Sequence, residues 1–224
     1  MTQFHCDAIL FDLDGVLVDS TALIEHHWNL WAKRHGLNLQ EILAISHGRR
    51  SIDTIQMIAP FLSAESEARL LEDAEEKDTE GLVALPGVAR LLNTLDPQRW
   101  AVVTSGTPNI ATNRLRATGL PLPAILVTAH DVTHGKPDPE GYLKAANLLG
   151  IPAHKCLVIE DAPAGIQAAH AAHMQAIAVS TTHAPEALQV AEACIPSLEA
   201  LNISKSSAST IMITLTEHCG SSKY

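Results

Sequence analysis

The sequence predicts an α/β protein built on a parallel sheet, with a helical domain inserted after the first strand. Three observations predict it. Buried-strand patterns alternate with helical patterns from Pro86 onward, and regular βαβ alternation implies parallel strands joined by right-handed crossovers. The apolar run Ala8–Phe11 comes before a long stretch without strand signals, so its pairing partners must lie among the later strands. Aromatic residues make up only 4% of a chain that is 46% hydrophobic, so the core must be assembled from Ala, Leu, Ile and Val, which suits layered α/β packing. The expectation is a Rossmann-like core formed by residues 1–16 and 86–224, with a helical cap domain at 17–85.

In chain order, the strand Ala8–Phe11 runs into Asp12-Leu13-Asp14-Gly15. A helix follows from Ser20, its expected N-cap, to Gly36, an expected left-handed stop, with Leu23, Ile24, Trp28 and Trp31 on adjoining faces. A second helix is expected from Ser51 to Ala59, closed by Pro60. A third is expected over roughly Ala64–Glu80, with Leu70 and Leu71 as its main apolar contacts and Glu72–Glu80 as a solvated face. Hinges are expected near Gly15–Asp19 and Gly81–Gly87. Strands are expected at Trp100–Thr104, Ala124–Val127, Cys156–Ile159 and Ala176–Val179. Ser204–Ser209 reads as a polar loop, Ile211–Leu215 as an edge strand and Gly220–Tyr224 as a disordered end.

Charge narrows the partners. With 15 basic and 25 acidic residues the formal net charge is −10, which disfavours nucleic acid and anionic membrane. No apolar run approaches membrane-spanning length. Cys6, Cys156, Cys194 and Cys219 show no metal-binding spacing, and the N-terminus has no leader pattern; together these point to a reducing cytoplasm. The sequence is silent on oligomeric state, and a monomer is compatible with it.

Ligands of open parallel sheets bind beyond the carboxyl ends of the strands. Those ends carry Asp12 and Asp14, then Ser105, Gly106 and Thr107, then Lys136, then Glu160 and Asp161. Two carboxylates spaced i, i+2 leave an extended chain on one face, where mutual repulsion raises the proton affinity of one. One can serve as nucleophile and the other as general acid and base. Glu160 and Asp161 supply hard oxygen ligands for a divalent cation, while Lys136 and the Ser105 hydroxyl can hold phosphate oxygens. Phosphoryl transfer asks for this positioning and charge neutralisation.

FDLDGVLVDS at 11–20, VVTSGT at 102–107, GKPDPEGY at 135–142 and EDAPAGIQAA at 160–169 appear in the order in which the haloacid dehalogenase superfamily carries them. The chain resembles the branch of phosphotransferases with a cap inserted after the first strand. The resemblance implies a Mg²⁺-dependent phosphatase with Asp12 as nucleophile, Asp14 as general acid/base, Ser105 and Gly106 on the phosphoryl group and Lys136 steadying both. It makes Asp12, Asp14 and Asp161 metal ligands, assisted by Glu160, and it allows a cis Lys136–Pro137 bond. SHGRRSID at 46–53 resembles the cap loop of sugar and polyol phosphatases acting on hexitol-, glycerol- or 2-deoxyglucose-phosphates. That likeness implies Arg50 as the cap's substrate contact, near Arg49 and His47; Thr107 and Asn109, beside Ser105 and Gly106, are expected as further substrate contacts.

One departure stands out. Relatives place glycine where this chain has His173, at the end of the helix after EDAPAG, so a left-handed histidine is expected there at a cost of about 1 kcal/mol. His170 and His173 are spaced for a shared metal, but no third ligand is evident and a helix-end role is expected. Two other readings stay open: a sugar phosphomutase, which shares all four motifs, and a non-catalytic sugar-phosphate sensor. Dehalogenation would leave the second aspartate unused.

Overall fold

The computed structural model describes residues 2–205, 210–216 and 219. A six-stranded parallel sheet forms its centre, in the order β6-β5-β2-β7-β8-β9. These strands are β2 (Ala8–Phe11), β5 (Trp100–Val103), β6 (Leu126–Val127), β7 (Cys156–Glu160), β8 (Gln175–Val179) and β9 (Ala193–Ile195). As the sequence required, β2 pairs with later strands on both sides, β5 and β7. Every residue of β2, β5 and β7 is buried, which explains why they read as continuous apolar runs instead of alternating ones. Two apolar clusters cover the faces, one with Ile9 and Phe11, the other with Ala8 and Leu10.

Helices α5 (Val88–Thr94), α6 (Pro108–Ala117), α7 (Glu140–Leu149) and α8 (Pro163–Ala171) lie between the strands in sequence. Between β2 and α5 the chain forms four helices: α1 (Thr21–His35), α2 (Leu39–Ser46), α3 (Ser51–Ile58) and α4 (Ala64–Glu75). They bury a separate cluster around Trp28, Trp31, Ile42, Ile55 and Leu71. The two crossings into this helical unit are tied by a short antiparallel pair, β3 (Val18–Asp19) with β4 (Val83–Ala84).

Several expectations need correction. A strand, β1 (Gln3–Cys6), precedes β2, and β9 had no clear apolar signal at only three residues. Ile211–Leu215 (β11) is a strand but not an edge: it lies between β1 and β10 (Leu201–Lys205) in a second, antiparallel sheet. Its burial alternates, the mark of a sheet covered on one face. Ser204 belongs to β10, while residues 206–209 and Gly220–Tyr224 lie outside the described residues. α4 stops at Glu75, and Leu71 alone of its leucine pair is buried, at 5% exposure against 53% for Leu70. α2 was missed because it is only eight residues long, although Asn38 caps it by accepting from Gln40 N at 2.9 Å. Gly36 takes the left-handed stop foreseen for it, with φ 66°.

Candidate active site

The parallel strands deliver their carboxyl-end residues to one cavity, roofed by the helical unit. Asp12, Asp14, Ser105, Gly106 and Asp161 line it from the sheet, and His47, Arg49, Glu72 and Glu75 line it from the cap side.

Lys136 is the electrostatic centre. Its ammonium is buried and donates to Asp12 Oδ1 at 2.7 Å, Glu160 Oε1 at 2.7 Å and the Val103 carbonyl at 3.3 Å. Three acceptors meet its three protons, and the two carboxylates hold it protonated well above the usual lysine range against the cost of burial. The Lys136–Pro137 bond is cis. Burial, opposed by Lys136, pushes the Asp12 carboxyl up to about 7. Tyr142 donates to the same Glu160 oxygen at 3.0 Å. The other Glu160 oxygen accepts the backbone N–H groups of Asp161 and Ala162, at 2.9 and 3.0 Å.

Glu160 is therefore fully engaged by four donors, with no exposed surface. Its neighbour Asp161 differs. One of its oxygens accepts from Thr182, and the other, Oδ1, is buried without a hydrogen-bond partner. Oxygens of Asp12, Glu160 and Asp161 lie within 4.8 Å of one another. An orphaned carboxylate oxygen beside a second buried carboxylate fits a hard divalent cation such as Mg²⁺. The occupied oxygens of Glu160 fit a supporting role better than direct ligation. The local sequence follows from this crowding: a Cβ on Gly165 would collide with Glu160, and one on Gly15, at φ 78°, with Asp161.

Asp14 has a separate set of partners. Ser20 donates to its Oδ1 at 2.6 Å and Arg114 at 2.7 Å, and the other arm of Arg114 reaches Glu75 at 2.8 Å. Ser20 occupies the N-cap position of α1, yet its hydroxyl serves Asp14 instead of the helix. Arg114 is 3% exposed, and one cation shared between half-buried Asp14 and buried Glu75 leaves burial dominant at Glu75, whose carboxyl is pushed up to about 7. Asn109 and Asn113 extend this seam from α6 to Glu76, at 3.1 and 3.0 Å.

The cap residues do not all fall where the sequence reading put them. Arg50 is turned out of the cavity, held by Asp53 at 2.7 and 2.8 Å and by the Val132 carbonyl at 3.3 Å. Arg49 lines the cavity instead and donates to the Lys136 carbonyl at 3.4 Å. Ser105 reaches across to the Gly48 carbonyl at 2.8 Å. Thr107 caps α6 through Ile110 N, and Thr107 and Asn109 line a neighbouring groove instead of this cavity. Within the expected solvated face Glu72–Glu80, Glu75 is buried against Arg114 and Glu72 and Glu76 are half-buried, whereas Asp73, Lys77 and Glu80 are exposed as expected. Arg114 was missed, although its spacing of four from Ile110 and seven from Thr107 marks the inward stripe of α6. His170 meets Glu192 at 3.3 Å, consistent with a helix-end role.

A parallel sheet whose strand ends carry paired aspartates, a buried lysine and a carboxylate pair defines a phosphotransferase-type hydrolase site. The haloacid dehalogenase-like hydrolase family profile matches residues 6–173, and the chain belongs to that family. It is 40% identical over 217 residues to hexitol phosphatase A of Escherichia coli K12, covering 93% of this chain and 99% of that protein. It is 37% identical over 188 residues to glycerol-1-phosphate phosphohydrolase 2 of Saccharomyces cerevisiae, covering 79% and 75%. A crystal structure of a hydrolase from Pseudomonas syringae superposes with a TM-score of 0.78 at 28% identity, covering 87% of this chain and 94% of that one.

Proposed function

We propose that this chain hydrolyses small sugar or polyol phosphates through a phospho-aspartate formed on Asp12. The observation that carries the reading is the pair of aspartates facing one cavity with different partners: Asp12 held by Lys136, Asp14 held by Ser20 and Arg114. The likeness to hexitol and glycerol-phosphate phosphatases supports the substrate class.

Residues 17–85 act as the cap and residues 1–16 with 86–224 as the catalytic core, a division supported by the separate apolar cluster of the helices. Asp12 attacks phosphorus, and the phosphorus–oxygen bond to the alcohol breaks as the new bond forms. Asp14 gives its proton to the departing alcohol, then takes one from the water that hydrolyses the phospho-aspartate. Lys136 holds the attacking carboxylate and neutralises charge on the phosphoryl oxygens, with Ser105 and the Gly106 amide beside them. Mg²⁺, held by Asp12, Asp161 and the Asp14 carbonyl, would offset repulsion between carboxylate and phosphate. Arg49 takes the cap contact first expected of Arg50. The buried cysteines support a reducing compartment, the cytoplasm. No described helix is long and apolar enough to cross a membrane.

Phosphate release from a panel of hexitol, hexose, deoxysugar and glycerol phosphates tests the reading. Turnover that requires Mg²⁺ and disappears in Asp12→Asn is the expected result. Isomerised sugar phosphate without free phosphate would instead identify a mutase, and binding without either product a sensor.

A further inference from the structure

The loop that follows β8 lies outside the four sequence motifs, and it closes over the carboxylate corner of the site. The Ser180 N–H bonds to the Ile195 carbonyl at 3.0 Å and anchors the start of the loop. Thr181 then donates to the Gly15 carbonyl, and Thr182 donates to Asp161 Oδ2. Two successive threonines thus reach the two segments that carry the candidate metal ligands, one after β2 and one after β7.

His183 fixes the direction of the Thr182 hydroxyl. Its ring Nδ1 lies 2.9 Å from Thr182 Oγ1 and 3.1 Å from the Asp161 carbonyl oxygen. A carbonyl only accepts, so Nδ1 carries a proton and donates. The Thr182 oxygen accepts from the ring, and its own proton goes to Asp161 Oδ2. On its other side the His183 ring meets His47 of the cap in a T-shaped contact, with centroids 5.5 Å apart.

The two oxygens of Asp161 therefore meet different surroundings. Oδ2 is held by Thr182 and packed against Gly15, where a Cβ would overlap both Oδ2 and the Thr182 methyl. Oδ1 is buried without a partner. Carboxylate orientation separates the hard cations: Mg²⁺ demands near-octahedral geometry, whereas Ca²⁺ takes about six to eight oxygens and accepts both from one carboxylate. To offer both oxygens, Asp161 must turn Oδ2 away from the Gly15 wall and break the bond from Thr182.

We propose that Thr182, aimed by His183, is a positioning residue that makes Asp161 a one-oxygen ligand and thereby favours Mg²⁺ over Ca²⁺. The proposal rests on the metal-dependent phosphatase reading and deepens it, since it assigns ion selectivity to a side chain that touches neither substrate nor phosphoryl group.

Ion binding can be measured without turnover. Mn²⁺ serves as the probe: its free-ion electron paramagnetic resonance signal falls on binding, and displacement by Mg²⁺ or Ca²⁺ gives the affinity for each. Wild type, Thr182→Val and Thr182→Ser would be compared with no substrate present. Thr182→Val keeps the shape and removes the hydroxyl, and should shift the ratio of Ca²⁺ to Mg²⁺ affinity toward Ca²⁺ by at least about fivefold. Thr182→Ser, which keeps the donor, should hold the wild-type ratio. Thr182→Ala provides a second variant if the valine protein folds poorly. A lesion that merely loosens the loop weakens both ions together and leaves the ratio in place. A smaller shift in the variants lacking the hydroxyl, or a serine variant that moves as far as they do, would therefore overturn the proposal. Mn²⁺ bound as tightly by Asp161→Asn as by wild type, or not bound by wild type at all, would overturn it too. Wild-type protein with the expected selectivity that hydrolyses no phosphate monoester would overturn the phosphatase reading alone. Mg²⁺-dependent turnover with an unshifted ratio would overturn this proposal alone.

Discussion

Arg114 donates to Asp14 at 2.7 Å from one guanidinium nitrogen, while its other arm reaches Glu75 of the cap at 2.8 Å. The side chain proposed to move protons is thus oriented by an arginine that the cap itself grips. Arg114 is a positioning residue: it acts through Asp14.

Replacing Arg114 should separate two effects. Arg114→Met should lower kcat by about 10²-fold with a smaller change in KM, because a misplaced acid damages the transition state more than substrate binding. It should also destabilise the fold by about 3–5 kcal/mol, since Glu75 is left buried without its cation. Arg114→Lys, which keeps the charge but not the fork, should recover stability more than kcat. Steady-state kinetics with urea denaturation checks both. Loss of stability with unchanged kcat would reduce Arg114 to a structural role.

Glu75 gives stability a pH dependence. Its carboxyl titrates near 7 in the folded protein against about 4.5 when exposed, because burial outweighs its share of Arg114. The folded state therefore holds this proton more tightly than the unfolded state. Its contribution is fully present below about pH 4.5 and is lost as pH rises through 7, a difference on the order of 3 kcal/mol. Glu75→Gln should flatten that part of the stability profile. Denaturation midpoints from pH 4.5 to 8.5 for both proteins would show it, and parallel profiles would contradict it.

Much of this was legible in sequence because strand-end residues converge by topology alone. β2 had to find later partners, and four strand ends then had to meet, so Asp12, Ser105, Lys136 and Asp161 were placed without knowing any distance. The cap was legible in outline only. Whether Arg49 or Arg50 enters the cavity depends on a turn of backbone between α2 and α3, and Asp53, three residues on, captures Arg50. The acidic run of α4 misled because composition gives charge but not facing. Its inward side became evident only from its contacts with α6.

Gly165 tests how tightly Glu160 is held. A Cβ there would overlap the carboxylate that accepts from Lys136, Tyr142 and two backbone amides. Gly165→Ala should therefore displace Glu160, loosen Lys136 and cut kcat/KM by more than about 10²-fold, with a stability loss of about 2–4 kcal/mol. Tyr142→Phe, which removes one donor only, should cost about 1 kcal/mol and less than tenfold in rate. A Gly165→Ala enzyme of near-normal activity would mean that Glu160 can move without consequence.

His173 offers the reverse experiment, a change that should help. It has φ 59° and is the one non-glycine at positive φ among the described residues. It ends the turn after α8, where Met174 N bonds back to the Ala169 carbonyl. Its side chain is exposed and contributes no buried contact. The left-handed backbone costs a β-carbon residue about 1–2 kcal/mol, and part of that gain is offset by the greater unfolded-state entropy of glycine. His173→Gly should therefore stabilise the protein by about 0.5–1 kcal/mol, raising Tm by about 1–4 °C, with kcat/KM unchanged. A fall in Tm would show that the histidine makes an interaction worth more than the strain it carries.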